Sequence, residues 1–280
     1  MQKTETILAT REYLKPLRQT GQALGFVPTM GALHEGHLSL VRAARKDCDL
    51  VAVSIFVNPT QFGPNEDFAQ YPRTTEADCA LLESEGVNLV FLPQPEEMYP
   101  QGAATWVEVE GLSNQLDGAS RPGHFRGVAT VVAKLFHIVA PDRAYFGQKD
   151  AVQVANLRRM VRDLNFDLEL IACPTVREAD GLAMSSRNRY LSPKERKQAL
   201  VLSQALQAVA AQHAAGELSV EALLAAAKKT LATEPAVRLD YLKLVDPETL
   251  LEVKQVAGPT LAAIAAFVGS TRLIDNLVLG

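Results

Sequence analysis

His34 and His37 lie three residues apart in the stretch Phe26-Val27-Pro28-Thr29-Met30-Gly31-Ala32-Leu33-His34-Glu35-Gly36-His37. That spacing sets both imidazoles on one side of a helix. Three chemistries fit the pair. One ring packed and the other solvated is an ordinary arrangement. A metal site would need one or two further ligands, which no Cys/His cluster supplies, although His124 and His137 are present. A phosphate site would use both rings as donors beside a helix start, where unpaired backbone N–H groups and the helix dipole attract anions. Only the phosphate reading also explains Pro28, Gly31 and Gly36.

Other residues suit the same anion. Gly147-Gln148-Lys149-Asp150 offers a lysine as a point charge, and Ala183-Met184-Ser185-Ser186-Arg187-Asn188-Arg189 offers two hydroxyls and two guanidinium forks. A surface turn and a solvated linker are the plain alternatives for these two. Gln61 and Gln153 carry neutral amides able to bind a hydroxyl or a carboxylate. Arg121-Pro122-Gly123-His124-Phe125-Arg126-Gly127 reads as a lid or a turn.

The elements that must position these groups follow from periodicity. An apolar run at 24–27, punctuation at Pro28 and Gly31, and Leu38, Leu40, Val41 and Ala44 predict a strand, a tight turn and a helix from about Gly36 to 47. Residues 50–57 form a near-continuous apolar run, the mark of a strand covered on both faces. Thr74 or Thr75 caps a helix that Gly86 stops, and 88–92 is a strand. Upstream, Ile7 and Leu8 suggest an edge strand, followed by a helix that Pro16 makes short or irregular. Residues 105–109 are strand-like, 128–140 helical, 143–146 a strand, 152–164 a helix and 167–172 a strand. The alternation predicts an α/β fold, a doubly wound parallel sheet with ligands outside the carboxyl ends of the strands. The loops at 28–37, 58–61 and 147–150 would then converge. Beyond about Arg177 two Ala- and Leu-rich helices (193–215 and 219–232) and strands at 237–245, 262–268 and 272–279 predict a smaller α+β domain, joined through 176–192.

The 280 residues carry a net charge of −4 and a pI near 5.8, which argues against nucleic acid or an anionic membrane as partner. Cys48, Cys79 and Cys173 are odd in number and widely spaced, as expected of reduced thiols in the cytoplasm. The first residues lack the apolar core of a signal peptide, and the longest apolar run, 261–268, is too short to span a bilayer.

Six stretches together resemble the pantoate–β-alanine ligase (pantothenate synthetase) family: V-P-T-M-G-A-L-H-E-G-H from Val27, F-V-N-P-T-Q-F from Phe56, Y-P-R-T from Tyr71, R-P-G-H-F-R-G-V from Arg121, G-Q-K-D from Gly147 and R-E-A-D-G-L-A-M-S-S-R-N-R-Y-L from Arg177. They occupy most of the first two-thirds of the chain in the family's order. The last ninety or so residues agree mainly in pattern.

The resemblance implies ATP-dependent ligation of (R)-pantoate and β-alanine through pantoyl adenylate, with release of pyrophosphate and AMP. It also implies a Rossmann-like nucleotidyltransferase fold over 1–176, a C-terminal domain over 177–280 that closes over the site, a homodimer, and Mg²⁺ accompanying ATP. Carried over by residue, Met30, Gly31, Ala32, Leu33, His34, Glu35, Gly36 and His37 correspond to an ATP-binding segment, with both histidines on the phosphates and His37 as proton donor. Gly147, Gln148, Lys149, Asp150, Val176, Met184, Ser185, Ser186 and Arg187 correspond to further ATP contacts, and Asn58, Gln61 and Gln153 to pantoate contacts, Gln61 also near β-alanine. His34, His37, Lys149, Ser185, Ser186 and Arg187 would stabilise the reacting phosphates. Asp78 is a candidate for Mg²⁺, and Gln148 stands where many relatives carry Glu. The alternative is a nucleotidyltransferase of the same fold acting on another small substrate, against which the glutamine pair argues.

Overall fold

The computed structural model describes residues 1–64 and 66–280, and the chain divides into two units: Met1–Gly147 with Asn156–Cys173, and Gln148–Ala155 with Pro174–Gly280. The first unit runs β1 (Gln2–Thr4), α1 (Ile7–Arg18), β2 (Leu24–Thr29), α2 (Glu35–Asp47), β3 (Leu50–Ile55), α3 (Thr75–Ser84), β4 (Leu89–Phe91), the single turns α4 (Pro95–Met98) and α5 (Asp117–Ser120), α6 (His124–Val139) and β5 (Arg143–Gly147). Helix α7 (Ala151–Asp163) begins among residues grouped with the second unit and leads to β6 (Glu169–Cys173). The second unit continues with α8 (Pro193–Ala214), α9 (Val220–Leu231), β7 (Val237–Val245), β8 (Thr260–Val268) and β9 (Thr271–Leu279).

Six strands form one parallel sheet in the order β1-β4-β3-β2-β5-β6. All six residues of β3 are buried, which is why that stretch is apolar without alternation. The order reverses between β2 and β5, the switch point outside which α/β sheets bind ligands. Pro28 fits inside β2 because its missing N–H faces β5, and the β2–β5 ladder spans only Gly25 and Phe26. Val27, Leu40, Val41, Val53 and Val90 sit in a core that includes Cys48 and Cys173.

Four local expectations are corrected. Ile7 and Leu8 open a helix, because Thr6 caps it by accepting the Ala9 N–H at 3.1 Å, and the edge strand lies just before. Pro16 stands two residues from the end of α1, so its lost bond shortens little. Residues 105–109 form no strand: the Val107 N–H donates to Thr130 Oγ1 at 3.0 Å, so a helix side chain takes the place of a ladder. The Arg121 to Gly127 stretch is half helix, with Gly123 at φ 81° as the residue before α6 and His124 to Gly127 as its first turn.

The second unit packs α8 and α9 on the antiparallel sheet β7-β8-β9. Ser192 and Glu195 form a capping box at the start of α8, with Pro193 at its first position. Leu202, Leu206 and Val209 of α8 join Leu223, Ile264 and Leu273 in a separate core.

Candidate active site

The turn between β2 and α2 is built from its own side chains and one buried carboxylate. Gly31 and Ala32 take left-handed φ values of 83° and 50°, the second uncommon for a residue with a Cβ. The oxygens of Asp78, buried in α3, accept the N–H groups of Ala32 and Leu33 at 2.9 Å each, and Thr74 Oγ1 adds a third bond at 3.1 Å. A Cβ at Gly31 would stand 2.9 Å from Ile55 Cγ2 and 3.1 Å from the Asp78 carboxylate.

His34 then caps α2, a task usually left to Ser, Thr, Asp or Asn. Its Nδ1 accepts the Gly36 N–H at 3.1 Å, while His37 Nδ1 accepts the His34 N–H at 3.3 Å, and the ring centroids are 4.1 Å apart. Each bond requires Nδ1 to be an acceptor, which puts the ring proton on Nε2. Much of the amide lining expected of this turn is used inside the protein. Gly31 N–H bonds to Thr29 Oγ1 and His37 N–H to the His34 carbonyl, besides the amides above.

Asn58 and Gln61 follow β3 on a 3₁₀ turn, Pro59–Gln61. Asn58 organises it: Oδ1 accepts from Thr60 Oγ1 (2.9 Å) and Tyr99 Oη (2.8 Å), and Nδ2 donates to the Gly127 carbonyl (3.2 Å) and to Gln61 Oε1 (3.1 Å). Burial pushes the Tyr99 phenol up, so that it stays a donor. Gln61 Nε2 lies 3.0 Å from Met30 Sδ, a weak acceptor, and so joins this turn to the histidine turn. Gly127 lets α6 press onto it, since a Cβ there would lie 2.3 Å from the Thr60 carbonyl oxygen.

The main chain at Gln61 is held as well. His124 Nδ1 donates to the Gln61 carbonyl at 2.7 Å, and its Nε2 accepts from Arg121 Nη1 at 2.9 Å. Arg121 also pairs with both oxygens of Glu66 at 2.8 and 2.6 Å. Burial pushes the Glu66 carboxyl up, but the Arg121 bonds outweigh it and hold the group below the usual carboxylate range.

In the second unit, Gln148–Asp150 form a 3₁₀ turn, with Lys149 Nζ 3.2 Å from Asp150 Oδ1. Asn276 Nδ2 donates to the carbonyls of Gln148 (3.0 Å) and Lys149 (2.8 Å), and its Oδ1 accepts from Gln148 Nε2 at 3.3 Å. Gln153 lies in the first turn of α7. Val176 accepts the Met184 N–H at 3.0 Å and Arg177 bridges Ala183, so residues 177–183 form a narrow loop closed by Gly181 at φ 92°. Ser185 caps the 3₁₀ turn Ser186–Tyr190 by accepting the Arg187 N–H. Asn188 donates to Glu178 Oε1 and the Ala183 carbonyl, and Arg196 bridges Glu178 and Asp180.

Within the first unit, then, Met30, His34, His37, Asn58 and Gln61 form one connected set; within the second, Gln148 and Lys149 share β9 with the root of the Met184 to Arg187 loop. The sequence reading missed Arg121, His124, Tyr99 and the Asp275-Asn276 pair as organisers. Polar residues at buried strand positions were the available signal for Asp275 and Asn276. The Asp78 carboxylate braces the turn through two amide bonds. Among the described residues no group of three or more His, Cys, Asp or Glu side chains is placed to hold a metal ion.

Residues 2–278 match the family model described as Pantoate-beta-alanine ligase. A pantothenate synthetase of Acidobacterium capsulatum is 70% identical over 100% of this chain and 97% of its own length, and that of Koribacter versatilis is 58% identical over 100% and 96%. Among solved structures, the pantothenate synthetase of Thermus thermophilus superposes with a TM-score of 0.95 at 51% identity, covering 99% of both chains. The pantoate-beta-alanine ligase of Francisella tularensis, solved with beta-gamma ATP and beta-alanine, gives 0.81 at 34% identity, covering 99% of this chain and 97% of its own. With the match running nearly end to end and the fold agreeing, the chain belongs to the pantoate–β-alanine ligase family.

Proposed function

We propose that this chain, a ligase that joins pantoate to β-alanine at the expense of ATP, works through pantoyl adenylate. A carboxylate does not accept an amine directly because its oxygen is a poor leaving group. Attack of the pantoate carboxylate on the α-phosphorus expels pyrophosphate and turns that oxygen into part of AMP, which leaves when the β-alanine amine attacks the acyl carbon. The enzyme's task is to align the reactants and stabilise charge moving onto phosphate oxygens.

The observation that carries this reading is Gln61. It is buried, its Oε1 is tied to Asn58, and its Nε2 is directed at a thioether. A carboxylate or hydroxyl oxygen is a far stronger acceptor than sulfur, so pantoate would take the place of Met30 Sδ. Asn58 would hold the amide in register, with Gln153 as the second pantoate amide. The Nε2–H groups of His34 and His37 would donate to phosphate oxygens, His37 also serving in proton transfer. Met30, Gly31, Ala32, Leu33, Glu35 and Gly36 would shape that wall of the nucleotide site.

In the second unit, Lys149, Ser185, Ser186 and Arg187 would stabilise the triphosphate and departing pyrophosphate, and Gly147, Gln148, Asp150, Val176 and Met184 would line the nucleotide. Residues 177–280 would act as the closing domain. Mg²⁺ would enter on the ATP phosphates, with water as its remaining ligands. A cytoplasmic homodimer completes the proposal; three buried thiols without a disulfide suit that compartment, and no helix among the described residues is long and apolar enough to cross a membrane.

Mixing the protein with Mg-ATP and (R)-pantoate tests the order of events. Pyrophosphate should form before β-alanine is added, and AMP with pantothenate should follow its addition. Pyrophosphate that appears only when β-alanine is present would remove the adenylate route.

A further inference from the structure

The C-terminal strand carries two adjacent polar side chains that are almost fully buried, Asp275 (4% exposed) and Asn276 (5%). Neighbours on a strand point to opposite faces, and Asp275 shares its face with Leu273 and Leu279 of the core. A carboxylate on a core-facing strand position is poorly placed for stability, since an apolar residue there is often as good or better. Its two oxygens bind Arg177 Nη1 and Nη2 at 2.7 and 3.0 Å, and Arg177 also donates to the Gly181 carbonyl. That guanidinium sits at the root of the loop ending in Met184 to Arg187.

Asn276 reaches the other loop. One Nδ2 holds the carbonyls of both Gln148 and Lys149, fixing two consecutive peptide planes and thus the direction in which the Lys149 side chain leaves the backbone. Its Oδ1 faces the amide of Gln148, so the glutamine at 148 is matched to an asparagine at 276 through donor and acceptor. The Asp275 Oδ1 in turn accepts the Asn276 N–H at 2.8 Å, so the two braces are one unit.

We propose that Asp275 and Asn276 are positioning residues for the nucleotide: a single dipeptide of β9 sets the Lys149 turn and the Ser185-Ser186-Arg187 loop in register with each other. This rests on the reading of Lys149 and Ser185 to Arg187 as ATP contacts. Neither residue touches substrate in the proposal, and both act through the loops they hold.

The test compares kcat and KM for ATP and for β-alanine, with thermal unfolding, in Asn276→Ala, Lys149→Ala and their double variant. Asn276→Ala should lower kcat/KM for ATP by about 10- to 100-fold with KM for β-alanine little changed, the size expected of a lost orienting contact. In the Lys149→Ala background the same substitution should cost less than about threefold, because its target is gone. An equal loss in both backgrounds, or no loss in either, would overturn the proposal. Should Asn276→Ala unfold the protein, the paired variant Arg177→Met with Asp275→Leu carries the test: it should stay folded and lose ATP kcat/KM. Wild-type kinetics in that variant, or failure of it also to fold, would overturn the proposal. A normal rate in Lys149→Ala alone would strike the site reading itself, and this proposal with it.

Discussion

Two phosphate-facing regions are proposed in this chain, and they are braced from different distances. The histidine turn of the first unit is capped by the side chains of His34 and His37, within three residues, and backed by Asp78, 45 and 46 residues on. The Lys149 turn and the loop at Ser185 to Arg187 depend on β9, through bonds spanning 98 to 128 residues. A locally braced turn keeps its geometry as long as its helix exists. A turn braced by the last strand of the chain keeps its geometry only while the C-terminal sheet is whole.

The comparison can be broken hardest at Asp78. Asp78→Asn turns one acceptor oxygen into a donor facing a buried amide, and should lower stability by about 3 kcal/mol and disorder the histidine turn. Denaturant unfolding measures the first effect, and loss of activity at temperatures where the protein is still folded measures the second. Survival of full activity would mean that the turn does not need this brace. Gly127→Ala should follow, at about 2 kcal/mol, because the new Cβ meets the Thr60 backbone and must push the Gln61 turn away. Its signature is a raised KM for pantoate with KM for ATP nearly constant.

Glu66→Gln is a smaller perturbation, up to about 1 kcal/mol at neutral pH. The folded-state carboxyl titrates below its unfolded value, so its stabilisation is complete above the ordinary carboxylate range and is lost as pH falls through the lowered value. The wild type should therefore lose more stability than the variant on acidification below about pH 5, and parallel pH profiles would contradict the pairing with Arg121. Least affected in stability should be His34→Ser, under about 0.5 kcal/mol, since serine caps a helix as well as the imidazole does. It lacks Nε2–H, so turnover should fall by about two orders of magnitude while the melting temperature holds. That divergence separates the capping task of His34 from its proposed chemical one.

What could be read from the sequence follows the same division between near and far. The β2 strand, the turn and α2 were legible because Pro28, Gly31 and the apolar spacing after His37 act over a few residues. The strands of the second unit were legible to within two residues for the same reason. Residues 105–109 look like a strand by composition, but a strand needs a partner, and Thr130 on α6 took the backbone group instead. The start of α6 was hidden by Gly123, which resembles a loop residue and in fact supplies the left-handed step before the helix. The identities of Asp78 and Asn276 were plain in the sequence; what they hold was not, because nothing local marks a bond made across 46 or 127 residues.

The three cysteines have a practical consequence. Cys48, Cys79 and Cys173 are all free, all buried and all within the first unit, and the second contains none. A thiol reagent added to the native protein can therefore react only through openings of the first unit, and burial pushes the Cys79 and Cys173 thiols up, slowing background reaction further. The unmodified protein carries a built-in clock for breathing of the first unit.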